Sequence, residues 1–201
     1  MMNAQLITAP ALEPVLLDDL KLHLRIDLDI LDEDEYLEGL QKIAREHVED
    51  ITRRALLTQT WDYYLDSWPK EDFIKLPFGN LQDVALTQYV KWKDEDGVST
   101  TLAVTTDYLW ETNGEACGRV VLPYGVSWPT GTLYPSKPIT VRFVCGWTTA
   151  ELVPFKIKAA VKMICSDLYE GRGEPVIGQT VSENKTVDRL LSSMRLWDEF
   201  L

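Results

Sequence analysis

The sequence predicts an α+β protein, a helical bundle of about four helices carrying a large inserted antiparallel β-sheet or small barrel. Three observations lead there. Between 33 and 55 apolar residues recur at steps of three and four, the spacing of one helix face. From Leu57 to Trp147 the period changes to alternation broken by turn residues. At Pro154 the helical period returns. The expected division is therefore 1–56 for an N-terminal arm and the first helices, 57–150 for the inserted β-rich domain, and 151–201 for the C-terminal helices and a docking tail. The 201 residues, 45% of them hydrophobic, suffice for one ordinary domain with a large insertion and a real core.

Taken in order, residues 1–16 read as an extended arm with Pro10 and Pro14, neither helix nor regular strand. A short helix is expected over 17–25, where Leu17, Leu20 and Leu24 face one way. An acidic link follows, and then the long helix 33–55. Its apolar stripe is Leu37, Leu40, Ala44, Val48, Ile51 and Ala55, with Gln41, Lys42, Arg45, Glu49 and Arg53 on the wet side. Asp32 stands as N-cap with Glu35 three residues on, and Arg53–Arg54 fall in the last turn. Candidate strands are 58–66, FIKLP, 84–94 joined through Asp96-Gly97 to STTLAV, then 108–112, 119–123 and 139–147. Helices over 154–170, stopped at Gly171, and over 185–197 close the chain.

The charge excludes more than it identifies. Asp and Glu outnumber Lys and Arg by 32 to 20, a net charge of −12, and the basic residues are dispersed along the chain. Stable DNA binding draws its affinity from neutralised phosphates and is not expected here. The N-terminus MMNAQLITAPALEP has no basic n-region or continuous apolar run, so no signal peptide is expected, and no stretch reaches membrane-spanning length. Cys117, Cys145 and Cys165 are widely spaced, without a C-x-x-C, and read as free buried thiols of a protein made in the cytoplasm.

Chemistry is sparse. Asp27, Asp29 and Glu38 match positions 1, 3 and 12 of a calcium loop, but Leu31 takes a ligand position and Asp32 stands where the turn needs glycine. Glu46, His47 and Asp50 could share a helix surface, yet without H-E-x-x-H or a second nearby histidine they make no zinc site. There is no G-x-S-x-G, activated cysteine or phosphate loop. The chain is accordingly read as a non-enzyme with no metal and no cofactor. Of the seven tryptophans, Trp61, Trp92 and Trp147 fall in strands, and Trp68, Trp128 and Trp197 in loops or tail. Leu190, Leu191, Met194, Trp197, Phe200 and Leu201 give the C-terminal segment more apolar surface than a frayed end needs.

The order of these features is similar to that of a known family. L-x-x-L-K-x-H-L-R-I-D at 17–27, D-E-Y-L-x-x-L at 34–40 and A-R-E-H-V-E-D-I-T-R-R-A-L-L-T-Q-T-W at 44–61 lead into the β stretch. V-R-F-V-C-G-W at 141–147, V-P-x-x-I-K-A-A-V at 153–161, L-Y-E-x-R at 168–172 and V-D-R-L-L-S-S-M-R at 187–195 follow. The set resembles the head–tail connector (adaptor) proteins of tailed bacteriophages, in particular the phiE125 gp8-like and HK97 gp6-like group. The resemblance implies a virion structural protein of the neck. It would form a homo-oligomeric ring, commonly of twelve subunits, beneath the portal and extend the DNA channel towards a downstream neck or tail-completion protein. It also implies that the C-terminal part engages the portal, a role carried onto 185–201. The long β-rich stretch departs from the family's compact all-helical members. A transient assembly factor, absent from mature particles, is the alternative that shares the acidity and the apolar tail.

Overall fold

The computed structural model describes residues 3–82, 88–171 and 185–196. The chain divides into two compact units: Ala11–Leu57 with Trp147–Leu201, and Met1–Pro10 with Thr58–Gly146. The first is helical, the second β-rich, and the α+β class expected from the period changes is what forms.

In the helical unit, α1 (Leu17–Leu24), α2 (Asp34–Thr52), α3 (Phe155–Glu170) and α4 (Lys185–Ser192) pack together, with α2 touching all three others. The expected stripe does the packing. Leu37, Leu40, Ala44 and Val48 of α2 meet Leu20 of α1, Ile157, Ala160, Val161 and Cys165 of α3, and Val187 and Leu191 of α4 in one core. α3 begins directly after Pro154, whose fixed φ and missing N–H suit that place. Both ends of α2 differ from expectation. Its N-cap is Glu33, with no side-chain cap bond, so the Asp32–Glu35 box does not form. It stops at Thr52 because Arg53 turns left-handed at φ 57°, and Arg54 therefore leaves the helix and points into the fold. The stripe is also wider than sequence spacing implied. Gln41 and Arg45, expected in water, are buried because the incoming segment at 13–15 lies over them.

In the β-rich unit the largest correction concerns the N-terminal arm. Ala4–Thr8 is a strand, β1, paired antiparallel with β2 (Gln59–Leu65). Propensity could not reveal this, since an edge strand takes its hydrogen bonds from a partner far away in sequence. The remaining strands are β3 (Phe73–Lys75), β4 (Tyr89–Lys93), β5 (Ser99–Thr101), β6 (Leu109–Glu111), β7 (Arg119–Val121) and β8 (Ile139–Cys145). They make two sheets, a five-stranded one in the order β1-β2-β8-β4-β5 and a three-stranded one in the order β3-β7-β6, with every strand pair antiparallel. The expected hairpin joins β4 to β5. The Asp94 carboxylate accepts the Asp96 and Val98 N–H groups at 3.1 and 2.8 Å, and Gly97 supplies φ 79°. Pairing sorts the large sheet into two faces. Ile139, Val141, Phe143 and Cys145 of β8 share theirs with Val90 and are fully buried, whereas Arg142 and Thr140 share theirs with Asp62, Tyr64, Tyr89 and Lys91.

Candidate functional site

The acidic link between α1 and α2 is built around a cation of the protein's own. Lys21 lies on α1 and is 1% exposed. Its Nζ donates to the carbonyl of Ile30 at 2.8 Å and of Leu28 at 3.4 Å, and it pairs with the Asp34 carboxylate. The chain that resembled a calcium loop thus wraps an ammonium group. Asp27, Asp29 and Asp32 are exposed, and with them Leu28 (44%), Ile30 (45%) and Leu31 (68%). Among the described residues no group of three acidic, histidine or cysteine side chains could hold a metal ion. His23 and His47 are exposed on α1 and α2.

A second buried cation ties the segment before α1 to α2. The Arg45 guanidinium donates to Glu13 at 3.0 Å, to Glu49 at 2.7 Å and to Glu46 at 3.5 Å. Glu49 also accepts the backbone N–H of Leu56 at 2.9 Å, and Gln41 donates to the carbonyl of Val15 at 3.0 Å. Burial raises the Glu13 carboxyl above its usual range, against the opposing pull of Arg45. Cys145 and Cys165 are fully buried and Cys117 is half-buried; none forms a disulfide. Burial pushes the Cys165 thiol up to about 12, so it is a packing residue rather than a nucleophile.

The C-terminal residues singled out from sequence divide three ways. Leu191 is fully buried in the helical core, where it is a packing residue of α4. Leu190 and Met194 are partly buried against that core. Trp197, Phe200 and Leu201 lie outside the described residues. The segment just before them is anchored. Arg54 Nε donates to the Met194 carbonyl at 2.6 Å, and the Leu196 N–H donates to the Thr52 carbonyl at 2.9 Å. Arg54, taken from sequence as a helix-end charge, instead holds Met194 to the close of α2.

The loop tryptophans pack within the β-rich unit. Trp68 and Trp128 stack at 4.9 Å with 7° between planes, and Trp128 donates to the Glu71 carbonyl at 2.9 Å. Sequence reasoning missed the outer face of the five-stranded sheet. There Arg142 forms a two-pronged pair with Asp62, both contacts at 2.7 Å, and lies over the Tyr89 ring. Lys91 sits 4.0 Å over Tyr89, Lys137 4.2 Å over Tyr64 and Lys93 5.9 Å over Tyr134. A shallow depression of about 250 Å³ opens between Tyr64, Tyr89, Lys91 and Lys93. These cations come from separate stretches of the chain, so no run of basic residues announced them. The available signal was the alternation Tyr89-x-Lys91-x-Lys93, which puts all three on one face.

Known proteins bear on this architecture in two ways. Residues 14–106, from before α1 to beyond β5, match the model of the phage gp6-like head-tail connector proteins. No curated protein matches the sequence. Among solved structures, a chain in the neck of an empty gene transfer agent particle, computed with C6 symmetry, shares the fold at a TM-score of 0.78 and 20% identity, covering 100% of this chain and 98% of that one. A chain of the native gene transfer agent virion gives 0.77 and 20%, with the same coverage. One from the native particle's neck, computed with C12 symmetry, gives 0.73 and 19%, covering 98% and 97%. The likeness spans both units, so the β-rich stretch that departs from compact connectors belongs to a fold already seen in particle necks. The chain is thus similar over residues 14–106 to the gp6-like head-tail connector proteins, and in fold along its whole length to chains of gene transfer agent particles.

Proposed function

We propose that this protein is a head–tail connector of a phage or phage-like particle. It forms a homo-oligomeric ring of twelve copies under the portal, extends the DNA channel, and joins the capsid to a downstream neck or tail-completion protein. The observation that carries the reading is the connector-family match at 14–106 on a chain whose entire fold resembles neck proteins. The work is assembly rather than catalysis. Interfaces of ordinary size bury roughly 1,600 Å² each, and closing a ring multiplies their effect. A net charge of −12 per copy gives the ring a negative surface, along which DNA passes without specific attachment.

The portal contact belongs in this reading to the C-terminal segment. Leu191 holds α4 in the core, and Leu190 and Met194 flank the point from which Trp197, Phe200 and Leu201 continue. Arg54 and Thr52 anchor residues 194 and 196, the segment that leads into 197–201. Removing residues 197–201 is expected to abolish attachment to portal-bearing capsids while α4 stays folded. Unchanged attachment, measured by co-sedimentation, would remove this role.

The ring reading is tested by antibody labelling of purified particles in the electron microscope, with a blot of the same fraction. Label confined to the neck, at about a dozen copies per particle, is the expected result. Absence from mature particles with presence in assembly intermediates would instead identify a transient assembly factor.

A further inference from the structure

Two surfaces of this chain are complementary in charge. One is the outer face of the five-stranded sheet, where Lys91, Lys93 and Lys137 lie over tyrosine rings rather than on carboxylates. Asp62, the acid of that face, is already committed to Arg142 through both oxygens. The other is segment 27–35, the loop between α1 and α2 together with the first two residues of α2. It presents the carboxylates of Asp27, Asp29, Asp32 and Glu35 together with the aliphatic side chains of Leu28, Ile30 and Leu31. Three exposed aliphatic residues within four positions are a poor arrangement for a surface meant only for water. The loop is not slack, because Lys21 grips the Leu28 and Ile30 carbonyls from below. It therefore reaches a partner already shaped.

We propose that the sheet face receives the 27–35 loop of a second copy of this chain, with carboxylates on Lys91, Lys93 and Lys137 and the aliphatic side chains on the Tyr64 and Tyr89 rings. Such a contact joins two different patches and is therefore head-to-tail, the class of interface that closes into rings when the rotation permits. It rests on the ring reading above and names the surfaces that build the ring. Charge complementarity selects the occupant. A duplex would bring a dense row of phosphates to three lysines on a chain of net charge −12, whereas the loop brings a few carboxylates and matching apolar surface. The sheet face also orients the neighbour, since like-charged surfaces of two acidic copies repel wherever this pair is not in register.

The test mixes isotopically light and heavy full-length protein at high concentration and low salt, and applies a zero-length carbodiimide cross-linker. Light-to-heavy links from Lys91, Lys93 or Lys137 to residues 27–35 are expected. They should be lost in K91E/K93E alone and in D29K/D32K alone, and return when the two variants are mixed equally, because each then offers the other a matching surface. Both variants are checked for an unchanged circular dichroism spectrum and melting profile. No light-to-heavy link at these positions, links confined to single copies, or links indifferent to charge reversal would overturn the proposal. So would a duplex oligonucleotide whose binding is lost in K91E/K93E, which would assign the face to nucleic acid. Neck label by microscopy without these links leaves the connector standing and defeats only the interface; absence of neck label defeats the connector itself.

Discussion

At the scale of single residues, the informative side chains are buried cations that no pattern marks as special. Lys21 sits in an L-K-L context on a short helix, where nothing in the sequence singles it out, yet it holds the α1–α2 loop together. Lys21→Met keeps the aliphatic stem but leaves the Ile30 carbonyl and the part-buried Asp34 without their donor. The expected loss is about 2–3 kcal/mol, at the lower edge of what breaking a buried pair costs because Asp34 keeps some solvent. A shift of the urea midpoint at unchanged slope would register it. Glu13 makes a pH prediction. Burial holds its folded-state affinity for a proton above that of the unfolded chain. Between the usual carboxyl value of 4.5 and the raised one the folded form therefore binds more protons, and the Glu13 contribution to stability, full below 4.5, is lost as pH rises through the raised value. Glu13→Gln should flatten the fall in stability above pH 4.5, as read from urea midpoints across a pH series. A steeper fall in the variant would contradict the burial argument.

At the scale of elements, period was a good guide to type and a poor guide to ends and partners. The stripe of α2 was legible because its residues recur at helical spacing, and the β4–β5 turn because Asp-Gly has few other uses. Strand β1 was not, since its five residues acquire meaning only from the register Ala4–Tyr63, Gln5–Asp62 and Leu6–Trp61. The close of α2 was misplaced by sequence because Arg53 takes a left-handed conformation usually reserved for glycine or asparagine. Between the elements of the β-rich unit, Gly118 marks a close approach. A Cβ there would stand 2.5 Å from the Leu81 Cβ, although the glycine does not take a positive φ. Gly118→Ala must therefore push β7 from the Leu81 segment. The expected cost is about 1–3 kcal/mol, measurable by thermal unfolding, while Gly125→Ala nearby meets no atom within 4 Å and pays only for its backbone angle.

At the scale of the whole molecule, charge sets the expected behaviour. Duplex DNA should show no retained complex with the free protein at physiological salt in a mobility assay, and a stable complex would refute the account of the acidic surface. What the sequence determined by itself was what depends on local repetition and composition. That comprises the α+β class, the helix stripes, the hairpin and the resemblance to head–tail connectors, each carried by spacings within a few turns or by contiguous motifs. Candidate interaction residues were only partly legible. Apolar residues near the end of the chain drew notice together, but burial separates Leu191, which packs the core, from Leu190 and Met194 at its margin. Only the tertiary structure decided that the acidic loop closes on Lys21, that Arg54 holds Met194, and that Lys137 joins Lys91 and Lys93 on one face. Those arrangements join residues distant in sequence, and whether a charge is buried, paired or displayed is set by what folds over it rather than by its neighbours along the chain.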